Sequence, residues 1–404
     1  VHMNPSAQGW IPKFLTAVDK QQIIKNSGSL LLFYDQLKTV GFLYGNSAEV
    51  LINTPPSQLN MTKIEYTKIN LFLGLLFTFF KKNSHESINK AIDHIILFYR
   101  KLDKSKLDFL NKFSTPEKAT DNLEQILAIR LQENNSFFNK KNNSIFTYSL
   151  LFIDILAFNK FLNFNDDYKI FIEDLEKNLI NLSFLALKSK KNKDKYDKQI
   201  INQIETSSVY LNLQYNKNKI LSLTSLDLLD YDNLEKKYLF DIGFLAVWND
   251  KELDQMEHSF LIKLANKLQL SSLRIEENID YINTFSEKYS KKIKLFEYQN
   301  PLNHIYKEST STVKLLIERN KKRLLIELEE SGELMKLLSQ STYRELTKDE
   351  KIKVREQLLD ICKTIPSLTI FLIPGGSLLL PILIKYIPSL LPSAFNENKI
   401  DYKS

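Results

Sequence analysis

Leu71-Phe-Leu-Gly-Leu-Leu-Phe-Thr-Phe-Phe80 is apolar on every side when wound as a helix. A helix needs about 20 apolar residues to cross a bilayer. This run is too short to span, so it reads as the central buried helix of a large core. Just upstream, Thr62 and Glu65 stand three apart, the spacing of a capping box. The pattern predicts a helix over about 59–82.

The flanking sequence repeats the same helical periodicity. Runs at about 11–26, 29–45, 84–103, 118–134, 144–163 and 167–188 each place Leu, Ile and Phe on one helical stripe. Ser114-Thr115-Pro116-Glu117 restarts the chain, with Thr115 as N-cap and Pro116 at the first helical position. The 404 residues include only 9 Gly and 11 Pro, and between Pro116 and Pro301 there is no proline and one glycine, Gly243. Asn-Gly and Asp-Gly hairpin dipeptides are absent. Few breakers and long helical periods predict an all-α chain: multi-helix bundle domains with a C-terminal Pro/Gly-broken apolar helical hairpin. The expected domains are residues 4–113, 114–300 and 301–404.

Composition sets wide bounds. Hydrophobic residues make up 43% and charged residues 25%, which is globular rather than disordered. Lys plus Arg number 55 against 48 acidic residues, a net charge of +7. This mild excess permits contact with anionic lipid or RNA without requiring it. One cysteine, Cys362, excludes an intrachain disulfide and a multi-cysteine metal site, and fits a reducing compartment. Val1-His2-Met3 reads as an expression remnant before Asn4, and the polar Asn4-Pro-Ser-Ala-Gln-Gly9 is no secretory leader. The N-terminal body is therefore expected in the cytoplasm.

Catalytic patterns are missing. No Gly-rich phosphate loop, Gly-x-Ser-x-Gly elbow, His-Glu-x-x-His or Cys-x-x-Cys occurs. His85 and His94 are nine apart, which does not place two ligands on one helical face. The expectation is a non-enzymatic protein with no cofactor, apart from a divalent metal considered below. The basic run Lys188-Ser-Lys-Lys-Asn-Lys-Asp-Lys-Tyr-Asp-Lys198 has no Arg interleaving and reads as a solvated loop or helix end, so no sequence-specific nucleic-acid partner is expected.

Tyr238-Leu-Phe-Asp-Ile-Gly-Phe-Leu-Ala-Val-Trp248 is followed by Asn249-Asp-Lys-Glu-Leu-Asp254 and an amphipathic helix carrying Phe260, Leu261, Leu264 and Leu268. This helix, acidic loop and helix over about 238–270 resembles the TerB-like helical module, in which the loop lies near a metal site. The resemblance implies Asn249, Asp250, Asp254 and Glu257 as metal ligands. The competing reading is helix capping by acidic residues near an N-terminus. Asn165-Asp-Asp167 lies in what reads as a diverged copy. Neither loop has the glycine or ligand spacing of a calcium EF-hand.

Residues 271–300 are polar and helical at first, with a short extended piece expected at 292–298. A long helical pattern then runs from Pro301 to about Gln340. There Arg319, Lys321, Lys322 and Arg323 precede Glu327, Glu329 and Glu330, which reads as opposite charges facing one another along an exposed helix. Thr347-Lys-Asp-Glu350 is a second capping box. The helix it opens turns Val354, Leu358, Ile361 and Ile365 inward, with Ile352, Leu359 and Cys362 beside them.

That helix runs into Ile365-Pro-Ser-Leu-Thr-Ile-Phe-Leu-Ile-Pro-Gly-Gly-Ser-Leu-Leu-Leu-Pro-Ile-Leu-Ile384, which carries no charge. Its length matches a bilayer, but Pro374-Gly375-Gly376 splits it into halves too short to span alone. Three geometries stay open: a kinked span, a hairpin that enters and leaves one side of a membrane, and a hairpin sheathed by the protein's own helices. Lys348, Lys351, Lys353, Arg355 and Lys363 precede the segment, and by the positive-inside rule that side would be cytoplasmic.

Residues 346–395 resemble the leucine zipper/EF-hand-containing transmembrane (LETM) family, in its bacterial branch. The resemblance is carried by the basic helix, Leu379-Leu380-Pro381, Lys385, Pro388 and the closing Leu391-Pro-Ser-Ala-Phe395. It implies a docking or membrane motif made of Pro366, Pro374, Gly375, Gly376, Ser377, Pro381, Lys385, Pro388, Pro392 and Phe395. It also implies an inner-membrane location with the body on the cytoplasmic face, cation homeostasis, and ribosome binding. Family transporters carry an acidic residue where Ser377 stands, and an intramembrane carboxylate is what would carry a proton or cation. Anchoring or docking is therefore expected over ion passage. The alternative is an all-helical scaffold or metal-responsive regulator with the hairpin buried in its core.

Overall fold

The computed structural model describes residues 7–25, 28–52, 61–102, 118–131, 150–163, 167–193, 222–248, 253–289, 301–341 and 343–365, with Met3, Pro5, Asp197, Lys198, Ile201, Leu368, Leu383, Ile384, Tyr386 and Ile387. Fourteen α-helices and no strand are found among the described residues. The chain is all-α, as its periodicities require. In order the helices are α1 (Trp10–Ala17), α2 (Lys20–Lys25), α3 (Leu30–Thr39), α4 (Lys63–Lys82), α5 (Ile88–Leu102), α6 (Ala119–Arg130) and α7 (Phe152–Phe161). They continue as α8 (Tyr168–Ser189), α9 (Asn233–Val247), α10 (Gln255–Lys267), α11 (Arg274–Tyr289), α12 (Pro301–Glu330), α13 (Gly332–Gln340) and α14 (Lys348–Thr364).

Helix α4 is the centre of the N-terminal half. Every residue from Thr67 to Phe80 is buried, so the run has no solvent face. It packs against α2, α3, α5, α6 and α7. Phe33 stacks on Phe77 at 4.5 Å, and Phe72 meets Trp10 and Phe14 edge-on. The Thr62 box closes as expected: Glu65 N–H donates to Thr62 Oγ1 at 3.3 Å, and Thr62 N–H to Glu65 Oε2 at 2.7 Å.

Three expected helices are broken, each for a local reason. The run at 11–26 becomes α1 and α2, because Val18 is extended and Asp19 starts a new turn, its N–H donating to Gln22 Oε1 at 3.1 Å. The run at 29–45 stops at α3, because Gly41 takes φ 84°, a left-handed conformation that favours glycine. A Cβ there would press into the Phe285 ring and the Asn46 carbonyl. The long pattern after Pro301 divides at Ser331 into α12 and α13. The restart at Ser114-Thr115-Pro116 and the extended piece at 292–298 lie outside the described residues.

Long-range polar clusters tie the body together. Arg130 of α6 makes a two-pronged pair with Asp154 of α7, Nε to Oδ2 at 2.7 Å and Nη2 to Oδ1 at 3.0 Å. Tyr99 of α5 donates to the same Oδ2 at 2.8 Å. In the second cluster, Lys38 and Tyr34 of α3 donate to Asp241 Oδ2 of α9 at 2.9 and 2.7 Å, and Asn278 of α11 donates to Asp241 Oδ1 at 2.8 Å. Burial, reinforced by Asp241, pushes the Tyr34 hydroxyl pKa well up. Buried charges in such numbers are tolerated only where each is paired and hydrogen-bonded.

Candidate functional site in the carboxy-terminal helices

Helices α12, α13 and α14 pack on one another, and α12 also meets α9 of the body. Thr347 caps α14 as its sequence predicts, with Glu350 N–H donating to Thr347 Oγ1 at 3.3 Å and Thr347 N–H to Glu350 Oε2 at 2.7 Å. Arg344 adds a fork that sequence spacing did not reveal, donating to Glu350 Oε2 at 3.0 Å and Oε1 at 2.7 Å. These hydrogen bonds, from Arg344 first and then Thr347, hold the Glu350 carboxyl pKa at about 2. The inward face of α14 is Val354, Leu358, Ile361 and Cys362, all buried, and Ile365 follows them into the core.

Two of the five cations of α14 are neutralised where they stand. Lys353 pairs with Glu333 of α13 at 2.9 Å, and Lys363 with Asp360 at 2.6 Å. Gln357 links the two helices, donating to Glu333 Oε2 at 3.3 Å and accepting from Ser331 at 3.3 Å. At the far end of α14, Arg323 of α12 donates to the Thr364 carbonyl at 3.0 Å. That bond places a guanidinium on a helix C-terminus, where the backbone carbonyls lack intrahelical partners.

The expected motif residues Pro366, Pro374, Gly375, Gly376, Ser377, Pro381, Lys385, Pro388, Pro392 and Phe395 lie outside the described residues. Their described neighbours show where the segment touches the body. Leu368, Leu383, Ile384 and Ile387 are buried and belong to the same apolar core as the helices. The Lys314 ammonium of α12 sits 4.5 Å from the centre of the Tyr386 ring. Among the described residues no helix is long and apolar enough to cross a membrane.

In the acidic loop, Asp254 and Glu257 form the cap of α10. Asp254 Oδ1 accepts from the N–H groups of Met256 and Glu257 at 2.7 and 2.8 Å, and Glu257 Oε2 accepts from Asp254 N–H at 3.0 Å. Asn249 and Asp250 lie outside the described residues. No group of three or more His, Cys, Asp or Glu side chains suited to a metal is found among the described residues. A surface groove of about 420 Å³ lies between Leu30, Leu31, Lys81, Lys82 and the start of α9. Lys82 there donates to the Asn159 carbonyl and Asn163 Oδ1, and burial, with Lys160 nearby, lowers its ammonium pKa.

A family model described as LETM1-like, RBD, the ribosome-binding region of that family, matches residues 346–404. The carboxy-terminal region is LETM1-like. The match begins at the residue before the Thr347 cap and takes in α14 and the Pro-broken segment. The ribosome-binding description therefore falls on the motif itself, while α1 to α13 lie before it. No curated protein and no solved structure is detectably similar to the chain.

Proposed function

We propose that this is a non-enzymatic LETM-like protein that docks on the ribosome through α14 and the segment after it. The observation that carries the reading is the coincidence of the LETM1-like RBD match with a capped, ion-paired helix that packs on α12 and α13 and buries Val354, Leu358 and Ile361. In this reading the body is a scaffold that presents the motif, and the apolar segment is a docking element. Burial of Leu368, Leu383, Ile384 and Ile387 favours a segment sheathed by the protein over one facing lipid. The test is co-sedimentation of the full chain with purified ribosomes. Saturable binding supports the reading, and failure to co-sediment at low salt removes it.

A second reading, attachment to the cytoplasmic face of the inner membrane, is favoured by the uncharged stretch 365–384. It requires Leu383 and Ile387 to leave their places in the core. Flotation of the full chain with vesicles separates the two, because an anchored chain rises with lipid and resists extraction by salt.

A further inference from the structure

Helix α12 carries Lys321, Lys322 and Arg323 in succession, with Lys314 two turns earlier, and all four are exposed. Its apolar stripe, Val313, Ile317, Leu324 and Leu328, is buried and fixes which way the charges face. At 100° per residue, Lys314 and Lys321 flank the buried stripe on one side and Arg323 on the other, while Lys322 points away from it. Of the cations expected to face glutamates along this helix, Lys321, Lys322 and Arg323 have no carboxylate within ion-pair distance among the described residues, and the Arg319 side chain lies outside them. Arg323 is engaged by the Thr364 carbonyl and Lys314 by the Tyr386 ring, neither of which cancels a charge. Between Lys314 and Arg323 the exposed described side chains are four cations against one carboxylate, Glu318. On α14, two of the three exposed lysines, Lys353 and Lys363, are paired with carboxylates, Lys348 being the third.

We propose that this strip of α12 is an RNA-phosphate contact, which makes the ribosome-docking surface a composite of the LETM1-like region and the helix that braces it. The inference rests on the ribosome reading above and names the chemistry of the contact. Arg323 and Lys314 touch Thr364 and Tyr386, so the strip borders the matched region rather than lying elsewhere on the body. Unneutralised Lys and Arg at about 1.5 Å rise per residue present charge to a phosphate backbone without reading its sequence. RNA fits better than a lipid surface because a membrane-lying helix must offer an apolar face beside its cations. Here the apolar stripe Val313, Ile317, Leu324 and Leu328 is buried in the protein, which leaves Ile326 as the one large exposed apolar side chain beside the cations among the described residues of α12.

The experiment measures ribosome binding by the full chain across a KCl series, for the unmodified protein and for Lys321→Glu/Lys322→Glu. Both residues are exposed, so thermal melting should be unchanged. The expected result is at least a tenfold loss of affinity and a shallower salt dependence, with the log–log slope falling by about 1 per phosphate contact removed. A charge-matched control, Lys13→Glu/Lys263→Glu, should bind as the unmodified chain does. Equal loss in the control means bulk charge and overturns the proposal. Unchanged binding in the α12 variant overturns it while leaving the ribosome reading intact. Absence of binding by the unmodified chain overturns both. Vesicles containing phosphatidylglycerol form the last arm: if the variant loses vesicle binding but keeps ribosome binding, the strip serves lipid and the proposal fails.

Discussion

The helical body and the carboxy-terminal helices use charge in opposite ways. In the body, Asp154 and Asp241 are buried and meet partners on other helices at full hydrogen-bonding geometry. In the carboxy-terminal region, the Arg344–Glu350, Lys353–Glu333 and Lys363–Asp360 pairs lie at the surface, and Lys321 and Lys322 have no carboxylate partner among the described residues. A buried pair is costly to break because the survivor is left charged in a poorly solvated place, whereas an exposed pair contributes about 0–1 kcal/mol. The buried clusters around Asp154 and Asp241 therefore hold architecture, whereas the exposed Lys321 and Lys322 remain available to a partner.

Breaking the first arrangement should give the largest effect. Asp154→Ala leaves Arg130 buried without its carboxylate and should cost about 3–5 kcal/mol in urea unfolding. Replacing both, as Arg130→Met/Asp154→Leu, should recover much of that loss; if the double variant is no better than the single one, the pairing account is wrong. Gly41→Ala comes next. It forces a side chain into φ 84° against Phe285 and the Asn46 carbonyl, and should lower stability by about 2–3 kcal/mol.

The two tyrosines beside Asp241 make a finer comparison. Tyr34 donates to Asp241, while the buried Tyr44 hydroxyl has no hydrogen-bond partner and lines a cavity of about 10 Å³ with Lys38, Asp241 and Asn278. Tyr34→Phe should destabilise by about 1.5–3 kcal/mol, because the lost bond is to a charged group. Tyr44→Phe should be neutral or stabilising by about 1 kcal/mol. Equal losses from the two would mean that Tyr44 is satisfied in solution, a cavity of this size being just large enough for one water.

Smaller effects belong to the C-terminal helices. Thr347→Ala removes the α14 cap and should cost about 1 kcal/mol, read from thermal unfolding. The pH dependence at Glu350 has a definite sign. Its folded pKa of about 2 lies below the ordinary 4.5, so its contribution is present above pH 4.5 and lost as pH falls through 2. Carbon-detected NMR titration should show that low midpoint, rising towards the ordinary value in Arg344→Gln.

How much was legible in the sequence follows the same division. Thr62, Thr347 and Asp254 announce their helices because a cap closes over three residues, within reach of a spacing rule. The same rule would have found Asp232 with Glu235, the box that opens α9, and Asp19 with Gln22, which divides α1 from α2. Leu71 to Phe80 reads as a core helix because no arrangement leaves such a run a polar face. The composite surface was not legible. Lys321 and Lys322 each stand one turn after Glu318, at pairing distance on paper, yet side-chain rotamers and packing decide whether pairs form.

By itself, then, the sequence determined helical class, the central place of α4 and a LETM-like carboxy-terminal motif. These depend on periodicity, caps and a local string of residues. Only the tertiary structure decided that Glu124 of α6 would cap α1, accepting from the N–H groups of Gly9 and Ile11 at 2.8 and 2.7 Å across more than a hundred residues. It alone set Asp241 among Lys38, Tyr34 and Asn278, and brought Leu383 and Ile384 of the uncharged segment into the protein's own core. An apolar stretch is equally content against lipid or against leucine, so its composition carries no preference between them.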